Sequence, residues 1–122
     1  MTRAFLFSLL LLVVFSSFQC EKELYESKPM RLKLLASTCA HHVVQIQDSA
    51  FYDWGINWTN SQGTSYEHVF TVQNHCEFVR AGIRAGEEFT ARVVRNAQGD
   101  GCVTCLAYLE TPPLAHSLRV ER

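Results

Sequence analysis

The chain has 122 residues, 11 basic and 12 acidic side chains, a net charge of −1 and 48% hydrophobic residues. A balance so close to neutral gives no strong field for nucleic acid or for an anionic lipid surface, and neither is expected as a partner. Beyond an N-terminal leader, about one hundred residues suit a single compact domain and leave no room for two separate cores.

At the N-terminus, Arg3 precedes an apolar run over residues 4–15, which gives way to Ser16-Ser17-Phe18-Gln19-Cys20. A positive start, an apolar stretch and a short exit of this kind describe a secretory signal peptide. The stretch is shorter than the ~20 residues that a spanning helix needs. Residues 1–20 are therefore read as a signal peptide cut between Ser17 and Glu21, and the rest as a secreted, extracellular chain with no membrane span.

Residues 21–29 read as an exposed, charged lead that ends at Pro29, which restricts Lys28 to extended conformations. Next, Met30, Leu32 and Leu34 alternate with Arg31 and Lys33, the period-two pattern of a half-buried strand. A short helix competes there, because Lys, Leu, Arg and Ala are good helix formers. Further strands are expected at 43–47, 51–59, 65–73, 77–81, 87–94 and 102–109. Turn chemistry separates them at Asn60-Ser61-Gln62-Gly63-Thr64, at Arg84-Ala85-Gly86 and over 96–101. Parity then puts Trp54, Ile56 and Trp58 on one face and Asp53, Gly55 and Asn57 on the other, and it likewise groups Phe89, Ala91 and Val93. Short strands with regular turns and no long helix predict an all-β domain, an antiparallel sandwich or a barrel, over 30–113. The tail over 114–122 resembles the first strand of a following domain, or adds a strand to this one.

The cysteines are Cys20, Cys39, Cys76, Cys102 and Cys105. An oxidising secretory route favours structural disulfides among Cys39, Cys76, Cys102 and Cys105, with three connectivities open. Cys20, if retained, would permit a disulfide-linked dimer. Cys102-Val-Thr-Cys105, with His41, His42, His68 and His75, also suggests a zinc or redox pair. A second cysteine pair is missing, and two thiols three apart in a strand face opposite sides, which suits two different bridge partners. No metal or cofactor is expected.

Asn57-Trp58-Thr59 is an acceptor sequence for N-glycosylation. Arg84, Arg92 and Arg95 form a candidate binding rim for an acidic protein or a glycosaminoglycan, against the competing reading of surface charge neutralised by Glu87 and Glu88. His41 and His42 beside Cys39 suggest a Cys-His nucleophile, but nothing in the sequence brings a triad together and no Gly-x-Ser-x-Gly elbow occurs. Phosphate-binding and calcium loops are missing too. No catalytic activity is expected.

Four stretches carry a resemblance. Trp54-Gly-Ile-Asn-Trp58 leads into Thr-Asn-Ser-Gln-Gly-Thr-Ser-Tyr66, Ile83-Arg-Ala-Gly-Glu-Glu-Phe89-Thr-Ala-Arg-Val93 follows, Asn96-Ala-Gln-Gly-Asp-Gly101 stands where a turn joins the last two strands, and Thr111-Pro112-Pro113 comes last. Together they resemble a fibronectin type III domain: a core Trp and a core Tyr on neighbouring strands, a corner, and the usual domain end. The resemblance implies an antiparallel β-sandwich, here in a disulfide-tied variant. Ala85 stands in place of the corner Pro, and Phe89 in place of a Tyr whose hydroxyl bonds back to the backbone. A small barrel of the netrin or metalloproteinase-inhibitor type shows the same alternation. The expected function is a secreted protein-binding or adhesion module that meets an extracellular protein through loops or an edge strand. The alternative is a secreted inhibitor or toxin-like ligand of a protease, channel or receptor.

Overall fold

The alternation at Met30, Leu32 and Leu34 becomes strand β1 (Met30–Ser37), with these three side chains buried and Arg31 exposed. The structure, a computed structural model, describes residues 26–95, 102, 105, 106 and 108–121. The expected signal peptide, Cys20 and the turn at 96–101 lie outside the described residues. After β1 come β2 (His42–Ile46), a 3-10 helix (Ser49–Trp54), β3 (Ile56–Thr59), β4 (Ser65–Val72), helix α1 (His75–Arg80), β5 (Glu88–Val94) and β6 (Ala115–Glu121).

Strand β1 pairs antiparallel with β2 on one side and β5 on the other, and β5 pairs antiparallel with β6. Strand β6 then runs parallel to β4, and β4 pairs back to β2. That circuit corrects the expected antiparallel sandwich: five strands close into a mixed barrel, while β3 forms a hairpin with β4. A sandwich keeps two layers with open edges, whereas here each barrel strand is hydrogen-bonded to two neighbours and the edges disappear. One interior results. Leu32, Leu34, Val44, Phe70, Ala91 and Leu118 fill it with no exposure at all, as side chains fill small barrels in general.

Strands β1, β2, β4 and β5 lie close to where alternation put them, and Phe89, Ala91 and Val93 share the buried face. Three other segments differ. Residues 77–81, expected as a strand, belong mostly to helix α1, whose Phe78 is its buried anchor. Gly82 ends that helix in the left-handed conformation (φ 69°), its N–H bonded to the Val79 carbonyl. Trp54 sits in the 3-10 helix and not in a strand with Trp58. Within the expected strand at 102–109, the described residues have no strand structure, and the tail over 114–122 instead supplies β6.

Two local devices fit the closure. Asn74, buried just past β4, donates its amide to the Leu118 carbonyl (2.6 Å) and accepts the Leu118 N–H at Oδ1 (2.8 Å). It thereby imitates one more rung of the parallel β4–β6 ladder beyond Val72↔His116. In the β3–β4 hairpin, Ile56 faces Val69 and Trp58 faces Tyr66, so Glu67 and His68 together oppose Asn57. This is a β-bulge, and His68 takes the left-handed region (φ 56°) within it. A Cβ on Gly55 would lie 2.6 Å from the His68 carbonyl carbon, so the close approach needs a glycine there.

The described end of the charged lead, from Glu26 on, docks as well. Glu26 and Ser27 give their N–H groups to the Val93 carbonyl, and the Ser27 hydroxyl oxygen accepts the Val93 N–H.

Candidate functional site

The connection from β5 to β6 is fastened to three other parts of the molecule. Cys102 bridges to Cys76 in the first turn of α1 (Cα–Cα 5.4 Å), and Cys105 bridges to Cys39 in the β1–β2 turn (Cα–Cα 5.6 Å). Of the three connectivities open to four cysteines, this one gives each thiol of the Cys-x-x-Cys pair a different partner. Neither thiol remains for a metal or for redox exchange within the pair. Farther on, Ser61 in the β3–β4 turn donates its N–H to both Glu110 carboxylate oxygens (2.9 and 3.1 Å) and its hydroxyl to one of them (2.7 Å).

Between these anchor points, Leu106 is fully exposed and Tyr108 is 84% exposed. Beside them opens a cleft of about 310 Å³ lined by Trp58, Tyr66, Tyr108, Leu109 and Glu110, with Leu35, Ala36 and Val43 from β1 and β2. Trp58 and Tyr66, both in that lining, stack on one another across the β3–β4 hairpin with ring centroids 5.8 Å apart. Turn chemistry builds the other rim: Asn60 Oδ1 accepts the N–H groups of Gln62 and Thr64, which holds Ser61 toward Glu110.

A second polar cluster lies between β2 and α1. His42, only 2% exposed, has Nδ1 2.6 Å from the Ser37 hydroxyl and Nε2 2.7 Å from His75 Nδ1. Its ring packs against His75 and Phe78, with centroids 4.9 and 4.8 Å away. Burial, then the nearby His75 and His41, push its pKa down from 6.5 to about 4. A neutral imidazole offers one donor and one acceptor, so a Ser37–His42–His75 chain satisfies both ring nitrogens of His42. So low a pKa makes His42 a feeble proton acceptor at neutral pH, unlike a general base poised near the working pH. The chain therefore ties the strand ends on either side of the turn that holds Cys39, Ser37 in β1 and His42 in β2, to helix α1, which holds Cys76.

The sequence-derived candidates divide. Asn57 is exposed on β3, its Oδ1 accepting the His68 N–H (3.3 Å), and Thr59 is exposed two residues on. Arg92 pairs with Glu121, and Arg95 pairs with Glu26 at 2.8 Å. Arg84 precedes β5 and Arg95 follows it, so the strand's length, about 20 Å, parts the two ends of the expected rim. Glu26 and Glu121, remote in sequence, thus meet two of these arginines, and Glu87 accepts the Arg84 backbone N–H (3.0 Å). His68 stacks flat on Tyr52 (3.6 Å), apart from the His42–His75 pair.

Sequence reasoning missed Ser61, Leu106, Tyr108 and Glu110. Reading 102–109 as a strand hid Leu106 and Tyr108, although two cysteines three apart, followed by large apolar residues, signalled a cross-linked loop; the Ser61–Glu110 contact joins residues 49 apart and leaves no local signal. Comparison with known protein families, with curated proteins and with solved structures finds no significant match.

Proposed function

We propose that this is a secreted, extracellular binding module without catalytic activity, whose contact with a protein partner centres on Leu106 and Tyr108. One observation carries the reading: two large apolar side chains stand in solvent on a segment fastened by two disulfides and by Glu110. Exposed apolar groups of this size gain most when a partner covers them. Fastening lowers the ordering cost that a free loop would meet on binding, and tyrosine is among the residues that dominate interface energies.

Two disulfides agree with assembly in an oxidising compartment. Among the described residues no helix is long and apolar enough to cross a membrane. A glycan on Asn57 would stand on the exposed side of β3, facing away from Trp58. The second reading, a secreted inhibitor of a protease, channel or receptor, draws on the same covalent fastening, since preorganised loops suit tight one-to-one inhibition.

Cross-linking capture on secreted and cell-surface proteins, followed by affinity measurement on the recovered partner, tests the reading. Leu106→Asp and Tyr108→Asp should each weaken that affinity at least about tenfold with an unchanged unfolding midpoint. Affinity indifferent to both substitutions would overturn it. Recovery of a protease or channel that the protein inhibits would select the second reading.

A further inference from the structure

We propose that the cleft between the β3–β4 turn and residues 108–110 binds a small organic ammonium ion with an aromatic or branched apolar body. This does not rest on the protein-binding reading, and it concerns a different class of ligand.

The lining contains three aromatic rings, Trp58, Tyr66 and Tyr108, and one charged group among the described residues, the Glu110 carboxylate. Aromatic faces carry negative quadrupole charge and attract cations, most strongly those that shed water easily. The carboxylate adds a full negative charge at the same cleft. Its circumstances differ from those of Glu26, Asp48, Glu77 and Glu121, each of which meets an arginine. Glu110 instead meets the neutral donors of Ser61. Those bonds hold the group in place without cancelling its charge, and two carboxylate oxygens with about four lone-pair sites keep capacity for an ammonium N–H.

Size and polarity narrow the ligand further. A cleft of about 310 Å³ lies at the small end of ligand sites. Leu35, Ala36, Val43 and Leu109 supply an apolar lining for the body of such a ligand, and an anion would meet Glu110 as a like charge.

Isothermal titration of the full, oxidised chain with phenethylammonium, 2-phenylethanol and tetramethylammonium tests the assignment. Phenethylammonium should bind about tenfold more tightly than its neutral isostere 2-phenylethanol, and added salt should shrink the difference. Tetramethylammonium, lacking the apolar body, should bind more weakly than phenethylammonium. Glu110→Gln, which keeps an oxygen for Ser61, should erase the preference for the cation. Tyr108→Leu, at an exposed position, should weaken cation binding about fivefold with the fold intact. Equal binding of 2-phenylethanol and phenethylammonium would overturn the proposal. So would equal binding of the two cations, unchanged affinity in Tyr108→Leu, or no heat from any probe at millimolar concentration.

Discussion

His42 shows how burial turns a common residue into a determinant of stability. The folded protein holds its imidazole neutral down to a pKa of about 4, while the unfolded chain protonates near 6.5. Above pH 6.5 both states are neutral there, and the fold keeps its full stability. As the pH falls from about 6.5 to about 4, the unfolded state takes up a proton that the folded state refuses. The fold should then lose about 3 kcal/mol through this site, levelling off below the folded pKa. Denaturant unfolding at pH 7.5 and at pH 4.5 reads the loss directly. His42→Gln, which cannot titrate, should flatten that dependence, and an equally steep slope in the variant would assign it elsewhere. Little of this was legible beforehand. The sequence shows five histidines, but only the fold brings His75 from the start of α1 against His42 in β2. Asn57 was easier, because its exposure follows from strand parity and needs no knowledge of the partner strands.

Elements with a strong period of two were legible, and those held by remote contacts were not. Strands β1 and β5 bury alternate residues on one interior face, so their pattern survives in the sequence. Strand β2 instead buries His42, Val43 and Val44 in succession and β4 buries Val69 and Phe70, and their apolar β-branched composition carries the signal. Helix α1 has six residues and only Phe78 buried, too few for a helical stripe to register. Its boundary signals were nevertheless present, in Asn74-x-x-Glu77 and Gly82. The described residues of 102–110 are held by the two disulfides and the Glu110 contact and not by a ladder, so the segment's strand-like composition misled. The Cys39–Cys105 bridge spans 66 residues of sequence. In the chain-entropy account a loop of that size is worth about 4 kcal/mol. Replacing both cysteines by serine should lower the unfolding free energy by about that amount, as measured by guanidinium denaturation. The same variant should bind its partner more weakly through the loosened Leu106 and Tyr108. A pair of serines with full affinity would show that fastening does not matter to recognition.

At the scale of the whole molecule, the last strand decides the architecture. Strand β6 pairs with β5 over five residue pairs and lies parallel to β4, and its Leu118 is fully buried in the core. Deleting residues 115–122 should open the barrel, expose Phe70 and Leu34, and abolish cooperative thermal unfolding. A sharp calorimetric transition in the truncated chain would show that the remaining strands form a stable unit by themselves. The sandwich expected from the Trp54-to-Phe89 resemblance fails for a related reason: alternation tells which side chains face inward, but not which strands lie side by side. By itself, then, the sequence determined the all-β class, the inward residues of β1 and β5, the preference for bridges among Cys39, Cys76, Cys102 and Cys105, and the glycosylation acceptor, because each depends on local periodicity or on residue chemistry. The tertiary structure alone decided the parallel β4–β6 closure, the pairing of the cysteines, the His42–His75 contact and the cleft at Glu110. Each of those joins residues far apart in the chain, and a pattern of neighbouring residues holds no record of such distances.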